Sequence, residues 1–478
     1  MTSLRNLLEA AMSFRTEHDF LGDMEIPADA YYGVQTMRAI ENFKISNYAI
    51  SSCPALIRSL GYVKKAAALA NMELGVLDSV VAKAICAACD EIIAGKLHDQ
   101  FPVDAIQGGA GTSTNMNANE VIANRALELM GHKKGEYEYC HPNNHVNCSQ
   151  STNDVYPTAF RLALHYELMR LGDRMEILQK GFAEKGVEFS DVVKMGRTQL
   201  QDAVPMTLGQ EFSAYATTIG EDIQRVEEAR KLLLEINLGA TAIGTGINAP
   251  ADYTRVVCTH LRNIMGLKVV TSENLIEATW DTGAYVQISG VLKRFAVKLS
   301  KICNDLRLLS SGPRTGINEI NLPRMQPGSS IMPGKVNPVI PEVVNQVCFD
   351  VIGKDVTITL AAEAGQLELN VMEPIIAHSL FRQVDRLGRC CTTLQEKCVA
   401  GITANRERCH ELVVNSIGIV TNLVPVIGYE KSAAAAKEAL ATGKSVTDVV
   451  LEQGLLTRQQ LETLLAPENM LRPSRAHL

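Results

Sequence analysis

Positive charge, aromatic side chains and long apolar runs are all scarce in this sequence. Its 46 lysines and arginines are outnumbered by 53 aspartates and glutamates, which gives a formal net charge of -7. That balance excludes a protein whose surface is built to bind the phosphate backbone of a nucleic acid. No apolar run reaches the roughly 18 residues of a membrane-spanning helix. Because aromatic residues make up only 5% of the chain, aliphatic side chains have to fill its core.

The cysteines and histidines show none of the spacings that indicate disulfide frameworks or metal sites. Twelve cysteines are spread over 478 residues, which is typical of a protein in a reducing compartment and predicts a cytoplasmic location. Cys86 and Cys89 have C-x-x-C spacing but no second pair follows, so two thiols on the buried side of a helix are favoured over a metal site. The sequence therefore predicts no metal ligands.

Three long stretches carry the apolar period of a helix. Apolar residues recur every three or four positions from Leu208 to Leu233 and again from Tyr285 to Leu309, which places each set on one stripe. A third stretch is predicted to begin around Pro341 and to end at Pro374. Helices of about 25 to 30 residues are roughly 40 to 45 Å long, so the sequence predicts a mainly α protein with a bundle of long helices.

Turn residues suggest how the chain is divided. The first 20 residues make a poor signal or transit peptide and are predicted to form a flexible or helical extension. The first 50 residues also contain proline and glycine in the pattern typical of loops and short strands. The polar segment 141–154 and the region near Gly401 are candidate boundaries. We therefore expect an N-terminal mixed or helical domain (1–150), a central helical bundle domain (151–402) and a small C-terminal helical domain (403–478).

Four segments combine glycine with threonine, serine and asparagine beside helical patterns. They cover residues 108–120, 150–158, 196–205 and 327–338. Such side chains donate hydrogen bonds to an anion without adding net charge, and glycine lets backbone N–H groups approach closely. In the fourth segment, a loop that aims N–H groups and the Lys335 ammonium at a serine could stabilise an alkoxide base. From the residues alone, an ordered surface turn is favoured over a catalytic loop.

The segment GSSIMPGKVNP (328–338), taken with the other three, resembles the signature of the fumarase/aspartase superfamily. The resemblance runs from about Asp19 to the C-terminal helices and also includes PADAYYGVQTMRAIENF (27–43), GGAGTS (108–113), QSTND (150–154) and MGRTQLQDAVPMTLGQEF (195–212). These segments are most similar to superfamily members that release ammonia from L-aspartate. The resemblance therefore implies reversible conversion of L-aspartate to fumarate and ammonia.

The resemblance also implies an architecture. Members of this superfamily have three-domain, mainly helical protomers, and five long central helices from each of four protomers form a twenty-helix core. We accordingly expect a homotetramer in which each active site gathers loops from three chains. The expected partners are a small-molecule substrate (L-aspartate or fumarate) and other copies of the chain, with no nucleic acid and no membrane.

The resemblance also implies roles for the individual residues that match positions of the superfamily motifs. Ser329 would be the base that removes the C3 proton of L-aspartate, and its neighbour Ser330 is the weaker candidate. The remaining positions would bind substrate: Thr112, Ser151, Thr152 and Thr198 at the β-carboxylate, Asn153 at the α-amino group, and Lys335 and Asn337 at the α-carboxylate. The loop 327–338 would be mobile and close over the substrate.

One position departs from a common superfamily pattern. Many members have histidine after G-R-T, paired with a glutamate beyond the loop, whereas this chain has Gln199 and Glu342. Glutamine does not titrate, which favours loss of an amine over loss of hydroxide, and Gln199 is expected only to bind substrate. A class II fumarase and a catalytically silent structural homologue remain as alternatives. No cofactor is expected to be required, although a divalent cation such as Mg²⁺ could activate the enzyme.

Overall fold

The computed structural model describes residues 13–471, and helices dominate it. The five longest described helices have 24 to 37 residues. The boundaries are as follows: α1 Val34–Asn42, α2 Pro54–Glu73, α3 Ser79–Ile93, α4 Thr112–Leu129, α5 Thr152–Glu188, α6 Leu208–Lys231, α7 Tyr253–Met265, α8 Glu277–Trp280, α9 Gly283–Leu309, α10 Val339–Glu363, α11 Glu373–Lys397, α12 Arg406–Val414, α13 Val424–Ile427, α14 Tyr429–Thr442, α15 Val446–Glu452, α16 Arg458–Leu464 and α17 Pro467–Met470. The mainly α fold expected from composition and periodicity is confirmed.

Strands are short and occur only in pairs within the described residues. Three pairs are antiparallel and one, β5 with β6, is parallel. The strands are β1 Phe14–Asp19, β2 Gly22–Pro27, β3 Val193–Thr198, β4 Gln201–Thr207, β5 Glu235–Ile236, β6 Val270–Thr271, β7 Ile320–Asn321 and β8 Thr403–Ala404. The prediction of a flexible or helical N-terminal extension is wrong for Phe14–Asp19, which pairs as a strand, and for residues 1–12 it lies outside the described part.

The described chain forms two compact units, each made of three segments. Unit 1 comprises Met1–Gly172, Gln224–Arg294 and Asp350–Arg386, and unit 2 comprises Asp173–Ile223, Phe295–Phe349 and Leu387–Leu478. The boundaries between units fall inside the five long helices α5, α6, α9, α10 and α11. The division into three consecutive domains stays a prediction. Among the described helices, none has both the length and the apolarity needed to cross a bilayer.

Two of the three periodic stretches fold as the apolar spacing predicts. Helix α6 begins at Leu208, and Phe212 and Ile219 on its stripe are buried. Helix α9 runs from Gly283 to Leu309, with Phe295 and Leu299 on its stripe fully buried. Burial of an apolar stripe is the main source of helix stability in a folded protein, so the period identifies these helices correctly.

The prediction of one helix from Pro341 to Pro374 is wrong. Helix α10 ends at Glu363, and Pro374 lies in the first turn of α11 instead of ending α10. The Asn370 side chain donates hydrogen bonds to the carbonyls of Ala361 and Ala362 and thereby satisfies two acceptors at the end of α10. The polar segment between the two helices is therefore a turn stabilised by side-chain hydrogen bonds, which the apolar period did not reveal.

A buried ion cluster in unit 2 holds the β3–β4 hairpin against the strand β7 segment. Glu319 is fully buried, with one carboxylate oxygen 2.8 Å from Arg197 and the other 2.9 Å from Lys194. Burial disfavours the charged form of Lys194, but Glu211 and Glu319 outweigh it and raise its pKa. Replacing a buried carboxylate that pairs with two cations strongly destabilises the fold, because positive charge is then left buried with less compensation.

We predict that Glu319→Gln lowers the free energy of unfolding by about 3 kcal/mol, because a neutral amide leaves Arg197 without this countercharge and Lys194 with Glu211 alone. Chemical denaturation of the purified variant measures the change. The matched control is Asp191→Asn, which breaks the exposed ion pair with Arg406 in the same unit and should leave the midpoint unchanged. Equal midpoints for wild type and Glu319→Gln would contradict the assigned role of the cluster.

Candidate active site

The glycine-rich loop before α4 has a left-handed backbone at three successive residues. Gly109, Ala110 and Gly111 have φ angles of +88°, +56° and +90°. A side chain at Gly111 could not be accommodated, because its Cβ would lie 2.5 Å from the ring of Tyr156. The loop therefore delivers Thr112 to the first position of α4, where its hydroxyl donates to the Gly109 carbonyl at 2.7 Å and its side chain is exposed.

The segment QSTND forms the N-terminus of α5. Asp154 fixes its shape, since one carboxylate oxygen accepts the N–H of Ser151 at 2.9 Å and the other accepts those of Gly239 and Thr241, both at 3.0 Å. Burial raises the pKa of Asp154 to about 6, although these backbone hydrogen bonds oppose the shift. Asp154 thus works as a structural acceptor, and Ser151 and Thr152 beside it remain available for a ligand.

Direct contacts bring the N-termini of α4 and α5 together. The side-chain amide of Asn115, in the first turn of α4, donates to the Thr152 hydroxyl oxygen at 3.1 Å, and Tyr156 of α5 lies under Gly111. The N-terminus of a helix carries partial positive charge and attracts anions. Two such termini, flanked by the hydroxyls of Thr112, Ser151 and Thr152, combine the partial charge and the hydroxyl groups that suit a carboxylate.

Asn153 presents its oxygen as a ligand group. Its side-chain NH₂ donates to the Ala242 carbonyl at 2.7 Å, and its backbone carbonyl accepts from the side-chain NH₂ of Asn237. The amide is thereby oriented so that Oδ1 points away from the Ala242 contact as an acceptor. An acceptor is what an ammonium group requires, in agreement with the expected role of Asn153 at the α-amino group.

The next two expected ligands lie at the tip of a strained hairpin in unit 2. Thr198 ends β3 and pairs with Gln201, so Gln199 and Leu200 form a two-residue turn. Their φ angles are +54° and +63°, which residues other than glycine, asparagine and aspartate adopt only when the surroundings enforce them. Thr198 and Gln199 are exposed at this tip, while the buried cluster of Glu319 holds its base.

Ser329 lies in an exposed loop and accepts two backbone hydrogen bonds. Its Oγ is 3.2 Å from the Ile331 nitrogen and 3.0 Å from the Met332 nitrogen. Both N–H groups point at the oxygen and stabilise negative charge on it, which favours the alkoxide over the alcohol.

The loop that carries Ser329 is closed at its neck. Gly328 donates its N–H to the Lys335 carbonyl at 2.7 Å, and the Asn337 side chain donates to the Gly328 carbonyl at 2.9 Å. A Cβ at Gly328 would approach Asn337 and the Lys335 carbonyl to 2.9 Å, so glycine is needed for this closure. The Gly328 carbonyl engages one hydrogen of the Asn337 amide, and the other hydrogen remains for a ligand. The Lys335 side chain is exposed.

The expected site residues fall into two groups. Thr112, Ser151, Thr152 and Asn153 belong to unit 1, where contacts join them, and the other five belong to unit 2: Thr198, Gln199, Ser329, Lys335 and Asn337. Sequence reasoning missed Asn115 and Asp154, which position Thr152 and Ser151. For Asn115, the available signal was the presence of three asparagines at alternate positions (115, 117 and 119) within one helix. No cluster of three or more His, Cys, Asp or Glu side chains within residues 13–471 is arranged to hold a metal ion.

Comparisons with known proteins identify relatives over most of the chain. The chain matches the family model described as "Lyase" over residues 22–353 and that described as "Fumarase C C-terminus" over residues 419–472. Among solved structures it is similar to a fumarate lyase:delta crystallin from Brucella melitensis bound to cobalt, with a TM-score of 0.94 and 56% identity, covering 96% of this chain and 100% of that one. A class II fumarase from Schistosoma mansoni has a TM-score of 0.91 at 35% identity, with the same coverage.

Curated relatives are similar over nearly their whole length. The aspartate ammonia-lyase of Helicobacter pylori (strain 26695) is 62% identical over 459 residues, which cover 96% of this chain and 98% of the relative. That of Escherichia coli (strain K12) is 59% identical over 463 residues, 97% of each chain. The chain therefore belongs to the fumarase/aspartase superfamily and, within it, to the aspartate ammonia-lyase family.

Proposed function

We propose that the protein catalyses the reversible conversion of L-aspartate to fumarate and ammonia, which makes it a carbon–nitrogen lyase. The observation that carries this proposal is the Ser329 oxygen, which accepts two backbone N–H groups in an exposed loop. The identity of 59–62% to aspartate ammonia-lyases, against 35% to the class II fumarase, supports ammonia rather than water as the leaving group.

Proton abstraction begins the forward reaction. The Ser329 alkoxide takes the C3 proton of L-aspartate, and the electron pair of the C3–H bond moves toward the β-carboxylate. The product of this step is an aci-carboxylate with two negative charges. The N–H groups of Ile331 and Met332 donate to the Ser329 oxygen, which is an alkoxide before the step and a neutral hydroxyl after it.

The hydroxyl groups around the β-carboxylate lower the energy of that intermediate. Ser151 and Thr152 lie at the N-terminus of α5, whose partial positive charge adds to their hydrogen bonds. Thr112, at the N-terminus of α4, joins them when its hydroxyl turns away from the Gly109 carbonyl. We propose that Thr198 donates to the same group. Donors that are already in place where charge develops need no reorganisation during the reaction, and they stabilise the transition state more than the substrate.

The other end of the substrate is held so that C3–H faces the base. We propose that Asn153 accepts a hydrogen bond from the α-ammonium and that Lys335 and Asn337 bind the α-carboxylate. The C2–N bond then breaks, the electron pair of the aci-carboxylate forms the C2–C3 double bond, and ammonia and fumarate leave. Gln199 contributes hydrogen bonding only, because its amide does not titrate.

We further propose a homotetramer in which three chains contribute to each active site, acting in the cytoplasm. Phe349, Val356 and Leu360 on α10 are 59%, 59% and 63% exposed, and their spacing of seven and four residues places them on one helix face. Burial of such an apolar face against another subunit supports assembly. The proposed chemistry uses only side chains and backbone groups, so we propose that no cofactor is required and that Mg²⁺ acts at most as an activator.

We predict that Ser329→Ala lowers kcat by about 1,000-fold or more, since the variant lacks the base that removes the C3 proton. The rise of fumarate absorbance on mixing with L-aspartate measures the rate. Ser330→Ala is the matched control and should stay within about tenfold of wild type.

Wild type that hydrates fumarate but releases no ammonia from L-aspartate would identify a fumarase. Wild type inactive in both assays would support the structural homologue. Full activity of Ser329→Ala would remove the serine from the role of base.

We predict that the loop 327–338 closes over bound dicarboxylate. Ile331 is 84% exposed and Met332 is 48% exposed, so closure would bury apolar surface and exclude water from the reaction. Succinate should therefore slow tryptic cleavage after Lys335 several-fold. Cleavage after Lys96, on an exposed turn of unit 1, is the internal control and should not change; equal rates at Lys335 with and without succinate would argue against closure.

A further inference from the structure

A buried polar network lies behind the N-termini of α4 and α5, entirely within unit 1. At its centre is Lys64 of α2, which is completely buried. Its Nζ donates to Asn147 Oδ1 and to Gln150 Oε1, both at 2.9 Å. Buried lysines are rare unless their hydrogens are bonded, and the partners here are two neutral amide oxygens from the segment that leads into α5.

The lysine determines which way the neighbouring amides face. An ammonium group only donates hydrogen bonds, so Asn147 and Gln150 have to present their oxygens to it. Asn147 Oδ1 then also accepts from the side-chain NH₂ groups of Asn115 and Asn119, each at 3.1 Å. The NH₂ group of Asn147 is turned the other way and donates to the Gln150 carbonyl at 3.2 Å.

The fixed orientation reaches Thr152 through Asn115. With its NH₂ group turned to Asn147, Asn115 also donates from Nδ2 to Thr152 Oγ1 at 3.1 Å. The Oδ1 atoms of Asn115 and Asn119 are buried without a hydrogen-bond partner among the described residues. An unpaired buried oxygen is unfavourable, so the network tolerates two of them in order to keep both NH₂ groups on Asn147.

We propose that Lys64, Asn147 and Asn115 are positioning residues that set the polarity of the Thr152 hydroxyl. Because Thr152 Oγ1 accepts from Asn115, its hydrogen is left to donate to the β-carboxylate, where negative charge grows during proton abstraction. This inference rests on the proposed function, which places Thr152 at that carboxylate.

The polarity does not depend on the charge of Lys64. Burial lowers the pKa of Lys64 to about 7, while Asp154 opposes the shift. A neutral amine still has two hydrogens, and the two amide oxygens of Asn147 and Gln150 use both. Deprotonation therefore leaves the direction of every hydrogen bond in the chain from Lys64 to Thr152 unchanged.

The test exchanges a donor for an acceptor at one position. Asn115→Asp keeps the shape of the side chain but offers only carboxylate oxygens, so the Thr152 hydroxyl has to turn and donate to it. We expect kcat/KM for L-aspartate to fall about 100-fold, mainly through kcat, because the lost donor acts on charge that develops in the transition state. The matched control is Asn119→Asp, which places the same charge against Asn147 one turn away from Thr152 and should lose less than tenfold.

A double-mutant cycle with Thr152→Val separates positioning from a structural effect. If Asn115 acts through the Thr152 hydroxyl, Asn115→Asp should cost less than threefold once that hydroxyl is gone. Asn115→Ser, which removes the amide donor without adding charge, is the second variant if Asn115→Asp does not fold. It should cost about tenfold alone and less than twofold with Thr152→Val.

The outcomes distinguish the two proposals. Active wild type with equal losses in Asn115→Asp and Asn119→Asp, or with a fully multiplicative cycle, would overturn the positioning inference and leave the proposed function intact. Wild type that forms no fumarate from L-aspartate would overturn the proposed function itself, and with it the role given to Thr152.

Discussion

The contact on which the proposed chemistry depends is the hydrogen bond from Asn115 to Thr152. It joins the first turns of α4 and α5, so that two helix N-termini face one small region. Each terminus supplies only partial positive charge, and each hydroxyl supplies only one donor. Together they suit a carboxylate whose charge increases during the reaction, because fixed dipoles respond to added charge without the strong ground-state binding of a full cation.

In each unit, a buried carboxylate anchors the segment that carries the proposed substrate-binding residues. In unit 1, Asp154 gathers three backbone N–H groups and fixes the start of α5. In unit 2, Glu319 pairs with Lys194 and Arg197 at the base of the hairpin that carries Thr198. In unit 2 the unfavourable backbone angles of Gln199 and Leu200 lie at the tip of the hairpin whose base this cluster anchors.

Periodicity predicted α6 and α9 because their buried residues are apolar and regularly spaced. It failed where polar contacts decide the structure: Asn370 ends α10, and no apolar pattern marks that turn. The site residues were reached through resemblance, because hydroxyls and amides in loops have no period. Lys64 and Asn115 escaped notice for a related reason: nothing in the sequence distinguishes a buried, fully bonded lysine from an exposed one.

In the proposed mechanism, one part of the site is fixed and another part moves. Ser151 and Thr152 lie at the start of α5, where Asp154 and the Asn115 amide hold them, and a donor that stabilises developing charge has to be held in place before the charge appears. Ser329 belongs to an exposed loop, closed at its neck by Gly328 and Asn337. Because the contacts of Ser329 with Ile331 and Met332 lie inside that loop, a movement of the whole loop would preserve them. In the proposed mechanism, the base withdraws with the loop to admit substrate while the groups that stabilise the developing charge stay fixed.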